Sequence, residues 1–118
     1  ALAQGNYRFD SGHRAANELL SAEPRVTAIF ASNDEMAAGA YHAARERGVE
    51  VPRQLSIVGF DDSPIAAHIW PPMTTVGWPI REMAKAAALK LVAPDSSEAL
   101  PSSFPARLVT RNSVAEPG

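Results

Sequence analysis

The chain has no cysteine, which excludes disulfides and thiolate chemistry and fits a reducing cytosol. No apolar run approaches the length of a membrane span, and the first residues lack the charged-then-apolar layout of a signal peptide. No block of lysine or arginine stands out, and eleven basic residues against thirteen acidic ones leave a formal net charge of -2. That balance carries no electrostatic footprint for nucleic acid, so any action on DNA must run through residues outside this segment. The histidines His13, His42 and His68 fall at no metal-ligand spacing and read as surface residues, so no metal site is expected. Asp34, Asp61 and Asp62 lack the phosphate loop or strand-end lysine that a Mg²⁺ phosphoryl-transfer site requires. No serine sits in a strand–turn–helix nucleophile context. Neither a catalytic residue nor a cofactor is expected.

What is present is an ordinary globular composition. The 118 residues, 46% hydrophobic and 20% charged, suit one domain that buries roughly two-thirds of its unfolded surface. The chain begins at Ala1 without a methionine and reads as a fragment of a longer protein.

Short apolar runs alternate with helical patterns, which predicts an α/β chain. Leu2, Ala3 and Gln4 read as the tail of a strand that turns at Gly5 and Asn6. A helix is expected from the capping pair Asp10 and Ser11, with Gly12, Ala16, Leu19 and Leu20 on one face and a stop before Pro24. Residues 26–31 are continuously apolar, as in a strand covered by helices on both faces. Ser32 and Glu35 have capping-box spacing for the next helix, along which Met36, Ala37, Ala40, Tyr41 and Ala44 repeat, and Gly48 is its natural stop. Residues 55–60 then complete a βαβ unit. A loop or short turn over 64–72 leads to a strand at 73–76. Pro79 opens a further helix with Ile80, Met83, Ala84, Ala87 and Leu91 in one stripe. A surface loop is expected over 94–105 and a last short strand at 106–110. Residues 114–118 read as a disordered tail.

Two of these strands end in hydrogen-bonding side chains. The run from Leu55 closes on Asp61 and Asp62 just before a sharp turn at Ser63 and Pro64, and the run from Thr27 closes on Asn33 and Asp34. Open α/β sheets bind ligands outside the carboxyl ends of their strands. With no nucleophile or metal cluster beside them, these ends point to a receptor more than to an enzyme.

Five blocks of the chain together resemble a known family. They are Ala28-Ile-Phe-Ala-Ser-Asn-Asp-Glu-Met-Ala37 with Gly39-Ala40, then Gly48-Val49 with Val51-Pro52, then Leu55-Ser-Ile-Val-Gly-Phe-Asp-Asp62, then Pro71-Pro-Met-Thr-Thr-Val76, and lastly Leu108-Val-Thr-Arg-Asn-Ser113. In this order they resemble the carboxy-terminal half of the lactose-repressor/galactose-repressor (LacI/GalR) family of bacterial transcription regulators. The resemblance implies one lobe, residues 1–113, of a periplasmic-binding-protein-like (type I) fold: a three-layer αβα parallel sheet. It also implies that the amino-terminal lobe and the helix-turn-helix headpiece lie outside this chain.

On that resemblance Asp61 matches the position of a carboxylate that binds the effector, and a carboxylate accepts from two vicinal hydroxyls at once. The plainer reading of Asp61 is a cap on the following turn. Asn33 matches the family's other polar contact in this lobe and equally suits a helix start. Tyr7 stands where the family has an aromatic that stacks on the effector, or it covers a sheet edge. Trp78 replaces the family's usual Gln or Arg, as an aromatic wall or as packing between lobes. Asp34 is assigned to the helix end and Asp62 to the turn. Family members also dimerise through this lobe, which implicates Ala38, Tyr41, His68 and Ile69, with burial inside the lobe as the alternative.

The expected function is therefore the effector-binding and dimerisation lobe of a cytoplasmic, ligand-responsive, DNA-binding repressor-type regulator that senses a sugar or similar polar metabolite. It would pair as a homodimer, touch DNA only through the headpiece and touch no membrane. Two alternatives stay open: the lobe of a periplasmic sugar-binding receptor and, further off, a small α/β enzyme using Asp61 or Asp34 as general acid or base.

Overall fold

Eight elements follow one another: α1 (Phe9–Leu20), β1 (Ala28–Phe30), α2 (Asp34–Glu46), β2 (Ser56–Asp61), α3 (Pro64–His68), β3 (Thr74–Gly77), α4 (Ile80–Val92) and β4 (Arg107–Val109). They come from a computed structural model that describes residues 1–22, 26–94, 101 and 103–116. Pro24, most of the expected 94–105 loop and the last two residues of the tail lie outside the described residues. The strands form one sheet in the order β1-β2-β3-β4. β1, β2 and β3 are parallel, while β4 runs antiparallel to β3, so the α/β sheet is mixed rather than wholly parallel.

Helix α2 is capped by Asn33, whose side chain accepts from the Met36 N–H at 2.9 Å. The cap is thus one residue later than the expected Ser32, because it is the Asn33 amide oxygen that meets a free first-turn donor. At the other end Gly48 adopts φ 65°, and Gly48 and Val49 donate to Arg45 O and Ala44 O at 3.1 and 2.8 Å. This is the paired-bond helix stop that a left-handed glycine permits. Helix α1 starts earlier than Asp10 and Ser11 predict. Ser11 lies inside its first turn, donating to Arg8 O at 2.8 Å and accepting from Asn6 N at 3.0 Å, so the hydroxyl ties the preceding turn instead of capping.

The core is built mainly of small side chains. Ala37, Ala40, Ala43 and Ala44 of α2 are buried against Leu55, Ile57, Ala66 and Met73. Alanines let α2 lie close to the sheet, and Gly12 and Gly39 let it lie close to α1. A Cβ on Gly39 would come within 2.2 Å of Phe9 O and 2.5 Å of His13 N, and one on Gly12 within 2.2 Å of Met36 O. Only hydrogen fits at that crossing.

Three expectations fail at the edges. Residues 2–4 form no strand: Leu2 is 98% exposed, and Ala1 to Ala3 only flank β1 across a cleft of about 390 Å³. So short an apolar run buries too little to offset the cost of ordering it. Strand β1 is shorter than expected and alternates, with Ile29 buried and its neighbours exposed, so one face of it is uncovered among the described residues. The 64–72 stretch holds the short helix α3, with Pro64 in its first turn where the missing N–H costs nothing.

Helix α4 has the predicted stripe but no buried residue. Ile80, Leu91 and Val92 are 61%, 83% and 78% exposed, and the molecule is drawn out to 57 × 25 × 24 Å. The chain then returns through β4. Ser113 lies fully buried between strands, accepting from Thr74 N at 2.8 Å and donating to Ile57 O. Ala115 is paired to Ser56 by hydrogen bonds in both directions, at 3.1 and 3.3 Å.

Candidate functional site

Three parallel strands deliver their ends to one edge of the sheet: β1 leads to Asn33, β2 ends at Asp61 and β3 leads to Trp78. Two left-handed residues in succession, Asp61 at φ 121° and Asp62 at φ 55°, turn the chain there. A third, Tyr7 at φ 66°, stands before α1. Non-glycine residues rarely adopt such angles, and they cluster where a ligand or a switch requires them.

The carboxylates at this edge have separate duties. Asp34 is 1% exposed and accepts from Thr75 Oγ1 at 2.5 Å, Ser63 N at 2.7 Å and Ser63 Oγ at 3.0 Å. It bolts the start of α2 to β3 and to the turn after β2, a wider role than the helix-end duty assigned from sequence. Asp62 accepts from Arg111 Nη2 at 2.6 Å, and Arg111 Nη1 donates in turn to Met73 O at 2.9 Å. Asp61 is left exposed. Partial desolvation holds its carboxyl above the ordinary aspartate value and the charge of Asp34 adds to the rise, against a hydrogen bond from the Trp78 side chain. The indole of Trp78, 37% exposed, lies 6.3 Å from the ring of Phe60 in a tilted pair.

Asn33 uses both ends of its amide. Oδ1 caps α2, and Nδ2 donates to Tyr7 O at 2.9 Å. The amide therefore positions Tyr7, whose own N–H rests on Met36 Sδ at 3.2 Å and whose side chain is exposed. The structure thus joins Tyr7 to Asn33 and Asp61 to Trp78, as two pairs along one edge. An exposed carboxylate beside an indole, with an exposed phenol further along the same edge, is the kind of arrangement a polyhydroxy or heterocyclic ligand needs, with polar anchors and flat apolar faces.

The residues expected to pair two copies lie elsewhere. Ala38, Tyr41 and Ile69 line a groove of about 880 Å³ with Trp70 and Pro71, whereas His68 is exposed away from that lining, 2.6 Å from Pro64 O. Ala38 and Tyr41 are 2% and 7% exposed, and the Tyr41 hydroxyl donates to Pro71 O at 3.0 Å. Burial pushes its phenol up to about 12, against a smaller pull from Ser113. The surface a partner would meet in this groove includes Trp70, 85% exposed, together with the exposed His42, Arg45 and Glu50.

One cluster was missed. His13 and His42, read separately as surface residues, converge on Glu46: His13 Nε2 lies 2.6 Å and His42 Nε2 3.2 Å from its carboxylate. His42 and Glu46 are four apart on one helix face, a signal visible in the sequence. His13 joins them only through the α1–α2 crossing.

A mixed α/β sheet whose three parallel strands carry polar and aromatic side chains to their carboxyl edge has the layout of a ligand-binding domain. Over residues 2–114 the sequence matches the periplasmic binding protein-like domain, and the chain belongs to that family. It is 42% identical over 117 residues to the HTH-type transcriptional regulator GalS of Salmonella typhimurium strain LT2, covering 97% of this chain and 34% of that relative. Among solved structures it is similar to a LacI-family sugar-binding transcriptional regulator from Escherichia coli complexed with phosphate (TM-score 0.86, 35% identity, 99% of this chain and 45% of that one). It is also similar to a LacI-family regulator from Enterococcus faecium with bound ribose (TM-score 0.84, 30% identity, 99% and 44%). These relatives are LacI/GalR-type transcriptional regulators, not enzymes. The chain spans about a third of the length of the curated relatives it matches.

Proposed function

We propose that this chain is the effector-binding and dimerisation lobe of a cytoplasmic transcriptional regulator that senses a sugar or similar small polar metabolite. The observation that carries the reading is Asp61: an exposed carboxylate at a left-handed turn, at the carboxyl edge of β2, beside Trp78. Vicinal hydroxyls of a sugar donate to its two oxygens, while Tyr7 and Trp78 offer flat faces to the C–H side of the ring. Asn33 contributes by holding Tyr7 and has one amide hydrogen left for the ligand. The largely exposed Ile80 and Leu91 on the α4 stripe support a second lobe that docks there and closes the cleft. The exposed Trp70 supports pairing of two copies through the groove, and DNA contact belongs to a headpiece beyond these residues.

In this mechanism the effector binds one relative orientation of the two lobes better than the other, and the dimer passes the change to the headpieces. A ligand shifts the equilibrium only by its differential affinity, with roughly 1–3 kcal/mol as the usual coupling. The test is operator binding by the intact protein, followed by fluorescence anisotropy against a panel of pentoses, hexoses and disaccharides. One sugar class should change the operator affinity several-fold, and Asp61→Ala should remove that response while dimerisation persists. An unaltered response in Asp61→Ala would exclude this site. A cleavable signal peptide on the parent chain, in place of a helix-turn-helix with basic residues, would make it a periplasmic receptor instead.

A further inference from the structure

The cluster on the α1–α2 face is built from rigid parts. Gly39, His42 and Glu46 lie at i, i+3 and i+7 along α2 and so share one face of that helix. Gly39 is the point where α1 crosses, its missing Cβ leaving room for the His13 backbone N–H. The crossing that brings the two backbones together therefore fixes His13 opposite His42 and Glu46. The two imidazole rings lie 5.1 Å apart, centroid to centroid, and one ligand atom from each of His13, His42 and Glu46 falls within 4.8 Å of the other two.

We propose that His13, His42 and Glu46 form a surface site for a borderline divalent transition-metal ion, Zn²⁺ foremost, with water in the fourth position. Two imidazole nitrogens and one carboxylate oxygen are a donor set that suits zinc and not magnesium or calcium, which take oxygen. A tetrahedral ion with bonds of about 2.0–2.1 Å holds its ligands roughly 3.3 Å apart. The gap of 3.2 Å from His42 Nε2 to Glu46 Oε1 already has that length, whereas the 2.6 Å gap from His13 Nε2 runs to the other oxygen, Oε2, so the carboxylate must turn one oxygen to the ion and His13 must draw back slightly. The Asn17 amide nitrogen also lies 3.1 Å from His13 Nε2 and must turn aside for the ion. Asn17 remains held by Arg47 Nε at 2.7 Å through its other amide atom. All three ligands sit on helices, so little ordering remains to be done when the ion arrives. The ion would cross-link α1 to α2, the two helices that begin just after Tyr7 and Asn33. The inference rests on this crossing alone and does not depend on what the sheet edge binds.

The experiment uses the intact protein, stripped with chelator, dialysed and titrated with ZnCl₂ by calorimetry. One equivalent should bind and be weakened at least about tenfold in His42→Gln and in Glu46→Gln, the minimum expected when a ligand itself is removed. His68→Gln, outside the cluster, should bind as the parent does. On the unmodified protein, imidazole ¹⁵N spectra should show the His13 and His42 signals moving with zinc while those of His68 stay, and Mg²⁺ should move none. Zinc binding that is the same in both variants, or His13 and His42 signals that stay fixed at saturating zinc, would overturn the site and leave a His–Glu clip between two helices. Because the spectra need no substitution, a variant that fails to fold leaves the question answerable.

Discussion

Buried at 1% exposure with three hydrogen bonds, the Asp34 carboxylate is the least replaceable polar group at the sheet edge. Asp61, on the next strand, has the same chemistry and the opposite exposure. Side-chain type alone does not tell them apart, because each follows an apolar run and precedes a turn or helix. What separates them is the reach of Thr75 and Ser63, residues distant in sequence that fold onto Asp34. Tyr41 shows the same dependence on surroundings. Its phenol is pushed up to about 12 in the folded chain against an unfolded value of ~10. Above the unfolded value the unfolded chain sheds this proton first, so the stability Tyr41 contributes is complete below ~10 and is lost as pH rises towards the folded value. Urea titrations from pH 9 to 12 should show stability falling, and Tyr41→Phe should fall less steeply. At neutral pH that variant should already be about 1 kcal/mol less stable, having lost the bond to Pro71 O.

At the scale of elements, the α1–α2 crossing sets two effects of known size against each other. Gly39→Ala gains up to about 1 kcal/mol of helix propensity. It also drives a Cβ into the backbone of Phe9 and His13, at 2.2 and 2.5 Å. Backbone cannot rotate aside, and overpacking costs about 1–3 kcal/mol, so the clash should win and calorimetric Tm should fall. A rise in Tm would mean that the helices part easily. The sequence made much of this level legible: the βαβ unit, the Gly48 stop and the stripe on α4 all follow from local periodicity and turn chemistry. The caps were less legible, because Asp10, Ser11, Ser32 and Asn33 are all competent and the choice among them depends on which hydroxyl or amide is drawn elsewhere. Ser11 is drawn to Arg8 and Asn6, and Asn33 to Tyr7 as well as Met36. The strand missing at residues 2–4 is a failure of the same kind, since a strand needs a neighbour and not only a pattern. His13 was illegible as a ligand for want of the crossing.

On the scale of the whole molecule, the unusual feature is α4. Its stripe reads as an ordinary amphipathic helix, and only the structure shows that no residue of it is buried among the described residues. Isolated helices shorter than ~12–15 residues are marginal in water, so α4 should exchange its amide hydrogens quickly in the 118-residue chain. In the intact protein, where a second lobe is proposed to cover it, the same amides should be protected to a degree approaching α2. Hydrogen–deuterium exchange with mass spectrometry makes that comparison, and equal, fast exchange in both would remove the reason to place a lobe on this helix. The excursion leaves the sheet after Gly77 and rejoins it at Arg107, and these two residues are register partners across β3 and β4. Gly77 is also the register partner of Asp61. One transverse row of the sheet therefore contains the proposed anchor for the ligand and both stems of the segment that reaches away from it. A load placed on Asp61 would enter the sheet on the same row from which that segment departs.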